Sequence, residues 1–331
     1  MNSFGQLFRV SILGESHGNG IGIVLDGVPP GIPLSVEDFE LDLSRRRSGA
    51  IGTTLRSEPD IPILFSGIFN QKTTGAPLTI LFHNKDTDSS SYESMKNTPR
   101  PGHADFVAHK KYGGHQDYRG GGHFSGRLTA ALVAAGVVAK KIINPINIQA
   151  TLIEAGGSND IESNITKALE NGDSIGGIVE CKALGIPIGL GEPFFDSVES
   201  VISHLVFSIP AVKGIEFGSG FSAAKMFGSQ HNDEILNLDG QTKSNHAGGI
   251  NGGITNGNEL IFRIAIKPTS SIKIKKDTVN LSTGETTSLS VAGRHDACIA
   301  LRVPPVLEAI TAIALADLML LEQKISRISI T

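Results

Sequence analysis

Residues 100–136 read RPGHADFVAHKKYGGHQDYRGGGHFSGRLTAALVAAG. The last third of this stretch carries the fold reading. Gly120, Gly121 and Gly122 bend the chain, Ser125 stands where an N-cap hydroxyl belongs, and the apolar run from Leu128 to Ala139 follows as a helix. The first N–H groups of such a helix carry the positive end of its dipole and suit an anion. Four of the ten histidines (His103, His109, His115, His123) share the stretch with Arg100, Lys110, Lys111, Arg119 and Arg127. A basic, glycine-bent segment is poor core material, so it reads as a phosphate or carboxylate cradle, with a tight turn beside a solvated face as the alternative. No HExxH or paired cysteines accompany the histidines, so no metal site is expected.

Working outward, the second half of the chain ends in the same way. Gly122-His123-Phe124-Ser125 precedes the first alanine-rich helix, and Gly293-Arg294-His295-Asp296 precedes a helical run from Val306 to Leu321. Gly22-Ile23-Val24 followed by Gly31-Ile32-Pro33 recurs as Gly177-Ile178-Val179 followed by Gly185-Ile186-Pro187. Gly67-Ile68, Thr73, Gly75 and Leu78 match Gly249-Ile250, Thr255, Gly257 and Leu260 at identical spacing. The expectation is an α+β fold in one domain, 1–331, built from two copies of one unit, about 1–150 and 172–331, joined by a polar connector, 156–172. Strand pairs without βαβ alternation argue for antiparallel sheets covering a helical layer rather than a doubly wound sheet. Two such copies bring 123–125 and 294–296 to one shared cleft.

Composition narrows the function. A chain of 331 residues buries a large core, and its net charge of −4 gives no global field for nucleic acid or an anionic membrane. Cys181 and Cys298 have neither redox nor metal spacing. No secretory signal is visible and no run is long enough to span a membrane, so a soluble, cytoplasmic protein is expected.

Several short motifs carry chemistry. His17 in Gly14-Glu15-Ser16-His17-Gly18 follows a strand and exchanges protons near neutral pH. His103 has Arg100 and Asp105 close by, a setting for protonating a departing dianion. Ser35 caps a helix, with Asp38 at the capping-box position, that ends in Arg45-Arg46-Arg47. C-terminal capping accounts for cations there, but three exceed what capping needs, and 48–54 reads as a loop that folds over a ligand. Asn245 to Gly253 is a second glycine-rich loop. Lys267-Pro268-Thr269-Ser270-Ser271 ends a strand as a phosphate grip, and Asp296 beside Arg294 and His295 reads as an ionised base or orienter. The residues alone indicate an enzyme for a small, multiply anionic substrate. A polyanion-binding protein lacks the basic balance, and a nicotinamide dehydrogenase lacks the GxGxxG fingerprint.

The ordered motifs GQLFRVSILGESHG, DGVPPGIPL, SRRRSG, TTGAPL, RPGHADF, KYGGHQDYRGGG, GDSIGG, GIPIGLGEP, AVKGIEFG, SNHAGGINGG, KPTSS and GRHDAC resemble chorismate synthase over nearly the whole chain. The resemblance implies a β-α-β sandwich with internal twofold character and a homotetramer. It also implies conversion of 5-enolpyruvylshikimate 3-phosphate to chorismate, the last step of the shikimate pathway, with reduced FMN as cofactor and NADPH as a candidate reductant. By that pattern His17 protonates or stabilises reduced flavin, His103 protonates departing phosphate, and Asp296 assists removal of the ring hydrogen. Arg46, Arg100 and Arg127 hold the substrate. FMN lies against His123, Phe124 and Ser125, Pro210 and Ala211, Gly252, Lys267, Pro268, Thr269, Ser270 and Ser271, and Arg294. Many relatives carry a basic residue where Gly52 stands, and arginine and serine where His123 and Phe124 stand.

Overall fold

A computed structural model describes residues 2–93, 95–291 and 295–323. The first part of the chain supplies β1 (Ser3–Phe4), β2 (Arg9–Gly14), β3 (Gly20–Asp26), α1 (Glu40–Arg46), β4 (Ile63–Ser66), β5 (Ile68–Phe69), β6 (Lys72–Thr73), β7 (Leu78–His83), α2 (Asp105–Tyr112) and α3 (Thr129–Ile142). A five-stranded sheet runs in the order β1-β2-β3-β7-β4, every pair antiparallel. The second part supplies β8 (Asn147–Ala155), α4 (Ile161–Glu170), β9 (Gly177–Leu184), α5 (Val198–Val206), β10 (Val212–Phe217), α6 (Gly228–His231), β11 (Ile250–Asn251), β12 (Ile254–Thr255), β13 (Leu260–Ile266), β14 (Lys276–Val279), β15 (Thr286–Leu289) and α7 (Pro304–Leu321). Its four-stranded sheet is antiparallel in the order β10-β13-β9-β8.

Alternation sets each sheet's inner face. Leu78, Ile80 and Phe82 on β7, and Leu260, Phe262, Ile264 and Ile266 on β13, are buried while their neighbours are not. Against these faces lie two helices apolar on nearly every side. α3 packs on β2, β3 and β7, α7 packs on β8 and β9, and the two helices pack on each other. Gly136 permits the closest approach: a Cβ there would stand 2.3 Å from Ala309 Cβ. α7 has the length and composition to cross a membrane, contrary to the expectation that no run does, but its burial makes it the core helix.

Thr73 and Thr255 make corresponding contacts. Thr73 Oγ1 donates to Pro29 O (2.7 Å) and accepts from Ile32 N (2.9 Å); Thr255 Oγ1 donates to Pro187 O (2.7 Å) and accepts from Leu190 N (2.9 Å). Each buried threonine thus ties a short hairpin to a Gly-Ile-Pro turn. Two boundaries differ from expectation. β8 runs through residue 150 yet pairs with β9, so the change of sheet falls near 143–146. The stretch 156–172 holds α4, whose Ile165 and Ala168 are buried, because Asp160 caps it by accepting from Ser163 N (3.4 Å) and its apolar residues share one face.

Candidate active site

A cleft of about 970 Å³ opens where the end of β13 meets the segment before α2. The two parts are bonded there: Ser270 Oγ donates to Gly102 O (2.7 Å), Lys267 Nζ to Gly102 O (3.1 Å) and to Ser270 Oγ (2.8 Å), and Arg100 Nη1 to Ser271 Oγ (3.1 Å). Arg100 also grips Asp105 with Nε (2.7 Å) and Nη2 (2.9 Å), and His103 Nδ1 stands 2.5 Å from the same carboxylate. Burial alone would raise the Asp105 pKa, but hydrogen bonds from Arg100 and His103, and their charges, hold it well below the usual carboxylate range.

His17 lies on the turn after β2. Its Nδ1 is 2.9 Å from Ser89 Oγ and its ring meets Tyr92 edge-on at 5.2 Å. Its pKa is lowered, first by burial and then by Arg56 and Arg119, with Asp117 and Asp88 opposing. The glycine triplet makes room for both histidines. A Cβ on Gly120 (φ 57°) would stand 2.3 Å from His17 Cδ2, and one on Gly121 (φ 81°) 3.3 Å from His103 Cε1. His123 Nδ1–H donates to Gly14 O (2.8 Å), and Ser125 Oγ donates to Ser16 Oγ (3.1 Å) while accepting from Arg127 N (3.3 Å).

The three arginines at the C-terminal end of α1 diverge. Arg45 pairs with Glu308 on α7 (2.7 Å), Arg47 turns back to Glu40 (3.0 Å), and Arg46 enters the cleft wall and meets Asp60. Arg127 binds the other Asp60 oxygen and, through Nε, Asn84 Oδ1 (3.0 Å). Burial would raise the Asp60 pKa, but Arg46 and Arg127 outweigh it and the carboxylate titrates low. Across the cleft, Asp296 accepts from Thr54 N (3.0 Å) and lies 3.4 Å from Arg302 Nη1. The 48–54 loop closes on the segment that carries Asp296: Gly52 O accepts from Ala297 N (2.8 Å) and Cys298 N (3.2 Å). At φ 91°, with a Cβ position 2.5 Å from Ile165 Cγ2, residue 52 is glycine for steric reasons.

The cleft gathers His17, His103, Asp296, Arg46, Arg100, Arg127, His123, Phe124, Ser125, Pro210, Ala211, Lys267, Thr269, Ser270 and Ser271. Pro268 is not among its lining residues; nor is Gly252, which sits at the tip of the β11–β12 hairpin. Arg294 lies outside the described residues. Asp60, Arg56, Ser89, Tyr92 and Arg302 were not singled out from sequence. Arg56 reaches Ser16 Oγ (2.8 Å) and Glu58 (2.7 Å), contacts that no local motif announces.

A family model described as chorismate synthase matches residues 8–320. The chain belongs to the chorismate synthase family. It is 63% identical over 329 residues to the chorismate synthase of Chitinophaga pinensis, covering 99% of both chains. It is 47% identical over 351 residues to that of Dehalococcoides mccartyi, covering 96% of each. A crystal structure of chorismate synthase superposes with a TM-score of 0.75 at 28% identity, over 96% of this chain and 93% of the other. Chorismate synthases are lyases of the shikimate pathway, which feeds aromatic amino acid biosynthesis, and the chain is such an enzyme.

Proposed function

We propose that phosphate leaves 5-enolpyruvylshikimate 3-phosphate by an anti 1,4-elimination in this cleft, with reduced FMN as cofactor. The observation carrying the reading is the junction of the 100–103 segment with Lys267, Ser270 and Ser271, which sets a proton donor beside an anion grip. Polar atoms left without partners around the cleft fit polar ligands: Thr269 Oγ1, His295 Nε2 and Arg46 Nε are buried and unpaired. Reduced FMN, when bound, supplies an electron-rich partner for a ring that stabilises positive charge poorly. Lys267 to Ser271, His123 to Ser125, Pro210 and Ala211 would hold it, with Gly252 and Arg294 joining by resemblance. Arg46, Arg100 and Arg127 are each already paired with Asp60 or Asp105, so they present a fixed positive wall rather than free side chains. His103 delivers a proton to departing phosphate. Asp296 assists removal of the ring hydrogen as a proton acceptor, oriented by Thr54 N–H and Arg302. His17, whose pKa is lowered, offers a neutral ring toward the cofactor.

The same reading includes two copies of one sheet-and-helix unit about a pseudo-twofold, the second beginning with β8. The corresponding threonine contacts and the strand orders β2-β3-β7-β4 and β8-β9-β13-β10 support it. A homotetramer in the cytoplasm, with NADPH as reductant of the flavin, completes it. An anaerobic assay with dithionite-reduced FMN should release phosphate and chorismate in equal amounts. Folded protein that binds FMN yet forms no chorismate would overturn the reading.

A further inference from the structure

We infer that Asp105 is the positioning residue for proton delivery by His103: its carboxylate holds Nδ1–H and leaves Nε2 as the ring atom that gives a proton to the substrate. The inference rests on the proposed role of His103 and goes further by fixing the tautomer and naming the group that fixes it.

Three groups converge on one oxygen. Asp105 Oδ1 lies 2.5 Å from His103 Nδ1 and 2.9 Å from Arg100 Nη2, while Arg100 Nη2 and His103 Nδ1 are 3.1 Å apart. An arginine nitrogen only donates, and an ionised carboxylate only accepts. The contact between Arg100 and Nδ1 is therefore two donors side by side on a shared acceptor, and Nδ1 carries hydrogen. Asp105 is kept ionised by Arg100, which also binds its second oxygen through Nε at 2.7 Å, and by the donor on His103. Arg100 is itself held by Ser271 Oγ at 3.1 Å, so the segment that follows β13 sets the angle of the whole group.

Nε2 is left for chemistry. It lies beside Gly121, where a Cβ would come within 3.4 Å of it, and no hydrogen-bond partner stands on it among the described residues. The transfer balances: in the imidazolium the Nε2–H bond breaks as the substrate C–O bond breaks, a phosphate O–H forms, and the ring is left neutral with its remaining proton on Nδ1. An amide at 105 offers an N–H to Nδ1, which favours the opposite tautomer and leaves nothing to hold the ring after transfer.

The test uses the full chain. Nitrogen-15 NMR of labelled histidine should show His103 as the Nδ1–H tautomer when neutral, and Asp105→Asn should move it toward Nε2–H. With prereduced FMN the same variant should lose about 100-fold in kcat, the effect on His103, while the loosening of Arg100 shows separately as a rise in KM. In a His103→Ala background the substitution should change kcat by less than about twofold, because a group acting through His103 has nothing left to act on. Asp105→Glu keeps a carboxylate for Arg100 and replaces the Asn variant if that one does not fold; its kcat and its share of Nδ1–H should fall together. A fall in kcat with an unchanged tautomer, or an equal fall in the His103→Ala background, overturns the inference. Wild-type protein that makes no chorismate while showing the Nδ1–H tautomer would instead refute the reaction and leave the positioning intact.

Discussion

His295 lines the cleft with Nε2 buried and unpartnered, and its pKa is pushed down to about 4, first by burial and then by Arg100 and His103, against the pull of Asp296. The unfolded chain therefore binds more protons at this residue than the folded one between the ordinary histidine value and that lowered value. Stability contributed by neutral His295 is full above about pH 6.5 and falls as pH drops toward 4, by on the order of 3 kcal/mol. Urea unfolding of ligand-free protein across this range should show the slope, and His295→Gln should flatten it. Gly120→Ala tests a different contact. The new Cβ would meet the His17 ring at 2.3 Å and at a φ of 57°, so activity should fall at least about tenfold by displacing His17. Steady-state kinetics with prereduced FMN would show it, and wild-type kcat would mean that His17 moves without consequence. The glycine run was legible as a place needing close approach, but sequence does not say what approaches. The triplet accommodates histidines from two other segments. Asp60, which locks two arginines, was illegible because both partners are remote from it along the chain.

Among the elements, α7 does more than fill the core. Asp317 near its end accepts from the N–H groups of Gln6 (2.9 Å), Leu7 (2.7 Å) and Phe8 (2.8 Å), holding the turn between β1 and β2. Asp317→Ala strands three donors and should cost about 3 kcal/mol in urea unfolding. Hydrogen exchange at residues 6–8 should accelerate more than elsewhere; uniform acceleration would assign the loss to the core instead. At the other end of α7, buried Glu308 ties Arg45 of α1, Lys140 of α3 (3.0 Å) and the Ala150 N–H of β8 (3.0 Å) into one cluster. Periodicity revealed the long helices and the antiparallel strands. The arginine triplet showed a surplus over capping but not that its members diverge to Glu308, Asp60 and Glu40. α4 was read as a connector because its polar residues dominate the composition and its apolar pair is small.

At the scale of the molecule, the two sheets are joined through the α3–α7 contact, where Gly136 meets Ala309. Gly136→Val drives a branched side chain into that crossing and should cost on the order of 2–3 kcal/mol. Hydrogen exchange of β3 and β9 should then weaken in parallel; loss of protection on one sheet alone would show that the halves unfold separately. The matching threonine contacts were legible because the glycine, threonine and proline positions of the two hairpins have fixed backbone duties, whereas the pairing of β8 with β9 in the second sheet depends on partners that local pattern does not encode. The Asp317 anchor has a last consequence in time. During synthesis the amides of residues 6–8 wait for a partner translated 309 residues after Phe8. The rim of the cleft supplied by Ser3 and Phe4 stays unlatched on the ribosome until α7 emerges. A nascent chain therefore lacks both this latch and its buried core helix until α7 emerges, and a chain truncated before that helix should fail to fold rather than give a weaker enzyme.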